Sequence, residues 1–202
     1  MEIIQTFPSL IIIDYIKERV DQLDIPNQKF IGGPTNENLP ISEVRGQYST
    51  KNIRILKDHP RIEKIFLKAF KKVPLGYKND FKITTSWGTK MEKNEVSNFH
   101  NHKNTFWSGV FYPEDSDGDI EFRNPCTNLT SFFIEPKEYN IYNANGYYVK
   151  PRKNMIIFFP SYLEHRICAH KNENPRYSLA FNMVPIGDYG SADSSYNTSW
   201  FR

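Results

Sequence analysis

The run Met155-Ile156-Ile157-Phe158-Phe159-Pro160-Ser161-Tyr162-Leu163-Glu164-His165 carries the first decision about the fold. Its first five residues are apolar, and a proline closes them. The block is too short for a buried helix and reads as a buried strand. Pro160-Ser161 turns the chain. Leu163, His165 and Ile167 then share one face of a returning strand, so His165 points inward. An inward histidine is either a core residue with a local partner or a ligand.

Outward from this pair, a period of two dominates the C-terminal part of the chain. Strands are expected near 81–87, 96–101, 106–112, 119–123, 131–134, 139–142, 147–150, 155–159, 163–168 and 176–184, with Asp117-Gly118 and Asn145-Gly146 as hairpin signals. Strand following strand without an intervening helix implies a sandwich or an open barrel. On the last strand Tyr177, Leu179 and Phe181 take one face, and Arg176, Ser178, Ala180 and Asn182 take the other.

The N-terminal part reads differently. Residues 2–13 suggest one or two short strands broken at Pro8, and Ile16, Val20 and Leu23 follow at helical spacing. Residues 25–49, rich in Pro, Gly and Asn, read as a long surface connection, which could instead border a site entrance. Asp58-His59-Pro60 opens a helix, with Asp58 as N-cap and His59 belonging to the helix start. Ile62, Ile65, Phe66, Ala69 and Phe70 form its apolar stripe, and Arg61, Lys64, Lys68, Lys71 and Lys72 face out. The tail, 187–202, reads as a loosely ordered terminus, with folding over the site mouth as the alternative.

The totals narrow the classes. At 202 residues the chain is read as a single domain, divided into an N-terminal flank (1–80), a β core (81–186) and the tail (187–202). A 15% aromatic share leans towards β structure, and a net charge of +3 is too weak to indicate nucleic acid. Two cysteines, Cys126 and Cys168, make no disulfide framework. The first residues lack a basic leader region, and the longest apolar runs are too short to span a bilayer, so a cytoplasmic protein without a membrane partner is expected. A homo-oligomer is left open.

The chemistry-bearing residues cluster by spacing. On a strand His100 and His102 would aim two imidazoles at one point, and His165 could close a three-nitrogen face around a metal. The bland reading of the pair is a polar rim. Arg176 and Ser178 share one face and could grip a carboxylate, since the planar guanidinium pairs with it bidentately. An internal salt bridge to Glu121 or Glu135 is the alternative. A zinc site of His165, Cys168 and His170 lacks a usual spacing and a fourth ligand. A metal beside a carboxylate clamp points to an iron oxygenase that uses a 2-oxo acid.

One group of stretches carries a resemblance. These are His100-Asn101-His102, Ser108-Gly109-Val110-Phe111-Tyr112, Gly118-Asp119-Ile120-Glu121-Phe122, Pro151 with Phe159 to His165, Arg176-Tyr177-Ser178, and Phe181-Asn182. Through them the chain from Trp87 onward resembles the 2-oxoglutarate- and Fe(II)-dependent oxygenase superfamily. More narrowly it is similar to a family of marine bacteria and their phages, distantly like prolyl 4-hydroxylases. The resemblance implies a mainly β (α+β) fold, a double-stranded β-helix or jelly roll with flanking N-terminal helices. It implies iron held by His100 and His165, and the far carboxylate of 2-oxoglutarate held by Arg176 with Ser178. Tyr112, otherwise a core tyrosine, and Asn182 are counted with this cofactor group. Two positions depart from the pattern: His102 stands where most of the superfamily has Asp, and Asn154 where a turn glycine is usual. A phage-encoded protein would work in the host cytoplasm.

The expected function is therefore a 2-oxoglutarate- and Fe(II)-dependent dioxygenase that hydroxylates a small molecule, a peptide or a nucleotide. Two alternatives remain at this level. One is a cupin-like three-histidine dioxygenase that uses no 2-oxo acid, and the other is a non-catalytic jelly-roll binding or structural module.

Overall fold

The structure, a computed structural model, describes residues 9–35, 44–46, 48–126 and 135–200. The N-terminal part contributes β1 (Ile12–Tyr15), β2 (Phe30–Ile31), β3 (Pro34–Thr35), β4 (Val44–Gly46), β5 (Tyr48–Thr50), the one-turn helix α1 (Ile55–Asp58) and α2 (Pro60–Lys71). The rest is nearly all strand: β6 (Phe81–Met91), β7 (Glu95–Val96), β8 (Trp107–Tyr112), β9 (Ile120–Arg123), β10 (Gly146–Val149), β11 (Met155–Pro160), β12 (His165–Ile167), β13 (Arg176–Pro185), β14 (Asp188–Tyr189) and β15 (Tyr196–Asn197). The large sheet runs β1-β11-β8-β13-β6-β5-β2, and a smaller sheet runs β10-β9-β12. Together they form the expected double-stranded β-helix.

The central strands β8, β11 and β13 of the large sheet are covered on both faces, and residue parity separates two cores. Trp107, Phe111, Ile156, Phe158, Leu179, Phe181 and Met183 face the helix layer, where Ile62, Phe66, Ala69 and Phe70 of α2 meet them. Val110, Tyr112, Met155, Ile157 and Phe159 face inward, towards Ile120, Phe122 and Leu163. Aromatic edges bind the outer core: Phe66 lies 5.2 Å from Phe111 and 5.5 Å from Phe181 between ring centroids.

A β-bulge exchanges the two faces of β6 partway along its length. Between β6 and β13 the register slips by one at Asn182/Met183, leaving Thr84 unpaired on β6. Before the bulge Phe81 and Ile83 pack on the helix side. After it the same parity turns inward, placing Thr85 opposite Asn182, Trp87 opposite Ala180, Thr89 opposite Ser178 and Met91 opposite Arg176. Ser86 and Gly88 now face the helix side, where Ser86 Oγ accepts the Leu56 N–H at 2.8 Å.

Several expectations are corrected. Ile16, Val20 and Leu23 are buried as their spacing suggested, but not on an α-helix. Pairing of β1 with β11 holds the segment extended to Tyr15, and only a 3-10 turn forms at Asp21–Leu23. The described part of 25–49 is not a plain loop, because β2 and β5 extend the large sheet beside β6. His59 is the N-cap of α2, and the Asp58 carboxylate accepts from Asn52 instead. Residues 139–142 lie in a turn region where Asn140 and Asn143 side chains bond the backbone, so local amide bonding wins over strand propensity. Neither Asp117-Gly118 nor Asn145-Gly146 closes a hairpin, since β8 and β9 belong to different sheets and a long connection separates β9 from β10. The tail forms a small β14–β15 hairpin. The strands expected at 131–134 and before Pro8 lie outside the described residues. Asn154 adopts a left-handed φ of 62°, which explains how it fills a glycine's place.

Gly109 shows how tightly the outer core is packed. A Cβ there would stand 2.3 Å from Phe181 Cζ, and that ring is wedged between Phe66 and Phe158. Gly109→Ala should therefore lower unfolding stability by about 1–3 kcal/mol through overpacking. Urea denaturation measures this, and an unchanged midpoint would show that the ring can move aside.

Candidate active site

Three imidazoles meet at one end of the inner core. His165 opens β12, whose first residue pairs with Phe122 of β9. The segment carrying His100 runs extended beside it, and the two backbones exchange N–H···O bonds of 3.0 and 2.9 Å. His102 then donates its backbone N–H to Ser161 O at 3.0 Å. The expected strand 96–101 thus reduces to β7 and this single bridge. Alternation still aims both side chains one way because the chain stays extended.

The ring centroids lie 4.4 Å apart for His100–His165, 5.2 Å for His102–His165 and 5.3 Å for His100–His102. One ring nitrogen from each lies within 4.8 Å of the other two, a set that could hold a metal ion. Two rings have a fixed tautomer. His100 Nδ1–H donates to Asn98 O at 2.8 Å, and His165 Nδ1–H donates to Leu163 O at 3.0 Å. Each therefore presents the lone pair of Nε2. Burial, with His100 adding repulsion, holds His102 down at about 4 and His165 at about 3. At neutral pH both rings are uncharged, as metal ligation requires.

The second constellation lies further along β13. Arg176 is 3% exposed, and among the described residues its Nε and Nη2 have no hydrogen-bond partner. Its guanidinium carbon sits 5.0 Å from the Tyr112 ring centroid, and the Tyr112 hydroxyl, fully buried, is also unpartnered. The two groups perturb each other's titration without reaching hydrogen-bond geometry. Among the described residues no carboxylate comes within 4 Å of the guanidinium, and Asp117 and Asp119 act on it only at longer range. Glu121, the candidate internal partner, is taken by Arg166 Nε at 2.5 Å and the Tyr148 hydroxyl at 2.8 Å. A buried cation beside an idle phenol is costly unless an anion completes it. The donor set fits a carboxylate.

Ser178, 2% exposed, shares a 2.6 Å bond with Thr89 between Arg176 and the histidines. The Asn182 amide is engaged by Ser108 and Thr85 at 2.9 and 3.1 Å. The zinc alternative is not assembled. His170 Nε2 bonds Asn174 O at 2.7 Å, its Nδ1 faces Asp117, and the Cys168 thiol lies against Glu121. Sequence reasoning missed Trp87, whose ring lies 5.6 Å from His102, together with Thr89 and Met91. Continuing the alternation of β6 past Trp87 would have found them.

Comparison with known proteins adds a family and a fold. Residues 85–182 match the family described as "Putative 2OG-Fe(II) oxygenase". No curated protein matches the chain in sequence. Among solved structures, HygX from Streptomyces hygroscopicus with nickel, 2-oxoglutarate and hygromycin B is 9% identical, with a TM-score of 0.55 over 88% of this chain and 83% of that one. A prolyl hydroxylase from Trichoplax adhaerens, in complex with a hypoxia inducible factor peptide fragment, is 10% identical, with a TM-score of 0.55 over 86% and 83%. A Pseudomonas putida prolyl-4-hydroxylase is 12% identical, with a TM-score of 0.51 over 87% and 94%.

The histidine environment has a measurable consequence. His102 and His165 titrate below the ordinary 6.5, so in acid the unfolded chain binds more protons than the folded one. Their stabilising contribution is complete above pH 6.5 and drains away as pH falls through about 4 and then about 3. Metal-free protein should lose stability between pH 6.5 and 4 more steeply than the His102→Gln, His165→Gln double variant. Denaturant midpoints across that range test this, and equal slopes would show that burial does not control these rings.

Proposed function

We propose that this chain, which over residues 85–182 belongs to the 2-oxoglutarate- and Fe(II)-dependent oxygenase family, holds iron through His100, His102 and His165 and anchors 2-oxoglutarate on Arg176. The carrying observation is the buried guanidinium with two unpartnered nitrogens beside an unpartnered phenol. It favours a 2-oxo acid co-substrate over the cupin-like alternative, which gives such an arginine nothing to bind. The convergent histidines with free Nε2 atoms favour a working centre over a non-catalytic module.

When bound, iron with 2-oxoglutarate would supply oxidative decarboxylation by O2 to succinate and CO2, with the second oxygen atom of O2 going to the hydroxylated substrate. The chain's own residues do the rest. His100 and His165 offer nitrogens pre-oriented by Nδ1–H bonds to Asn98 and Leu163. Arg176 offers its fork to the far carboxylate, the Tyr112 hydroxyl adds a donor, and Ser178 with Thr89 lines the path between. Trp87 walls the side of His102, and the apolar inner core around Phe122 and Phe159 excludes water. In this reading residues 1–202 form one oxygenase unit, with 81–186 as its core. No described helix is long and apolar enough to cross a membrane. Two structures of the same fold hold hygromycin B and a peptide fragment, and we take the substrate class to be a small molecule or a peptide.

His102 sets the charge. Three neutral imidazoles leave the metal's positive charge uncompensated until an anion arrives. His102→Asp should therefore bind bare Fe(II) more tightly, and His102→Ala less tightly. Counting coordinated imidazoles in the Co(II) form decides; a count of two, unchanged in His102→Ala, would remove His102 from the ligand set.

Anaerobic addition of Fe(II) and 2-oxoglutarate together should produce a weak visible charge-transfer band that neither gives alone. Arg176→Ala should weaken 2-oxoglutarate binding at least about tenfold, since a charge-assisted hydrogen bond contributes about 1.5–3 kcal/mol. Iron binding without the co-substrate should change little. Normal 2-oxoglutarate affinity in Arg176→Ala would overturn the anchor.

A further inference from the structure

The turn between β11 and β12 touches two of the three histidines through its carbonyls, one at its backbone and one at its ring. Ser161 O accepts the backbone N–H of His102 at 3.0 Å, and Leu163 O accepts His165 Nδ1–H at 3.0 Å. The position of this turn therefore sets where one histidine enters the site and how another is rotated. A side-chain chain ties the turn to the large sheet. Ser108 donates to Asn182 Oδ1 at 2.9 Å, so its proton is committed and the 2.8 Å bond to Ser161 must carry the Ser161 proton. Asn182 Nδ2 passes the direction on to Thr85 Oγ1 at 3.1 Å. The order runs one way: Ser161 to Ser108 to Asn182 to Thr85, across β8, β13 and β6.

Packing does not require these hydroxyls. Ser108 and Ser161 are 1% and 2% exposed, and Ser108 shares the inward face of β8 with Val110 and Tyr112. Replacing both partners of such a buried pair by apolar groups can be nearly neutral for stability. What the hydroxyls add is direction, because a fully satisfied polar chain fixes one arrangement of the backbone that carries it. Backbone bonds also hold the turn, from Ser161 N–H to Phe106 O at 3.1 Å, Leu163 N–H to Pro160 O at 3.0 Å and Arg123 N–H to Glu164 O at 2.9 Å, and the hydroxyl chain adds the link from the turn to Asn182 on β13.

We propose that Ser161, Ser108 and Asn182 are positioning residues for the histidine centre, acting through the turn carbonyls to hold His102 and fix the His165 tautomer. The inference rests on reading the three histidines as ligands, and it deepens that reading. Asn182 accordingly supports the metal side of the site instead of touching 2-oxoglutarate.

The test compares wild type with Ser161→Ala, Ser108→Ala and Ser161→Thr. Ser161→Ala removes a donor and orphans no other donor, so the fold is kept. Co(II) titration should show affinity falling about 10–100-fold in both alanine variants, the range for lost partners of metal ligands. The visible Co(II) bands should shift with it, and Ser161→Thr, which keeps the hydroxyl, should restore both. A metal-free arm follows the imidazole nitrogens by NMR at pH 7.5. Wild-type His165 should appear as the Nδ1–H tautomer, and Ser161→Ala should show a mixture of tautomers. Unchanged ring signals in Ser161→Ala would overturn the proposal, as would wild-type Co(II) spectra in variants that are merely less stable. Failure of wild type to bind Co(II) would instead count against the histidines as ligands, and the metal-free arm would still decide the role of the hydroxyl chain.

Discussion

Strand β13 runs between β8 and β6 at the centre of the large sheet, and its two faces make opposite demands. Leu179, Phe181 and Met183 need an apolar cover, which α2 supplies through Phe66 and Phe70. Arg176, Ser178 and Asn182 need polar partners inside the protein. A strand buried on both faces must satisfy each without help from solvent. Asn182 and Ser178 find neighbouring hydroxyls on β6 and β8. Among the described residues Arg176 finds a phenol ring and a thioether, with Met91 Sδ 4.0 Å from Nη1. The helix layer, the two-sheet architecture and the unfinished polar end of the inner core all follow from the composition of this one strand.

Most of that arrangement is legible in the chain. Alternation in 176–182 assigns both faces correctly, because a one-residue error would bury charge against α2. The block 155–159 is equally clear, and so is the inward aim of His165. The N-terminal part is much less so. Ile16, Val20 and Leu23 keep a helical spacing although β1 and a 3-10 turn carry them, since burial fixes which residues are apolar but not the element that buries them. The strands β5 and β2, the last two on that side of the large sheet, are three and two residues long, too short to show a period. Thr89 escaped notice because β6 runs on to Met91, past the expected end of the strand at Trp87.

The centre combines uncharged nitrogens with a buried positive charge. His102 and His165 are kept neutral by burial, while Arg176 keeps its charge in spite of it. The inward face of β13 is therefore positive at its Arg176 end even without a metal, and a divalent ion on the histidines would add charge at the other. A dicarboxylate bridging the two ends neutralises both, whereas a monocarboxylate leaves one unpaired. In the proposed reading, a preference for a two-headed acid would follow from these two charged ends.

The bulge at Thr84 separates two design problems that an ordinary strand would couple. Without it, Phe81 and Ile83 would belong to the same row as Trp87 and Thr89, and one row would have to serve both the helix layer and the site. The extra residue works as a phase shifter. Residues up to Ile83 pack with α2, and those from Thr85 onward alternate towards the inner core and the histidines. Substitutions on either side of it are insulated from each other. Straightening the bulge with Thr84 retained would exchange Trp87 and Thr89 for Ser86 and Gly88 on the inward face, taking the Trp87 ring away from His102 while every strand still paired.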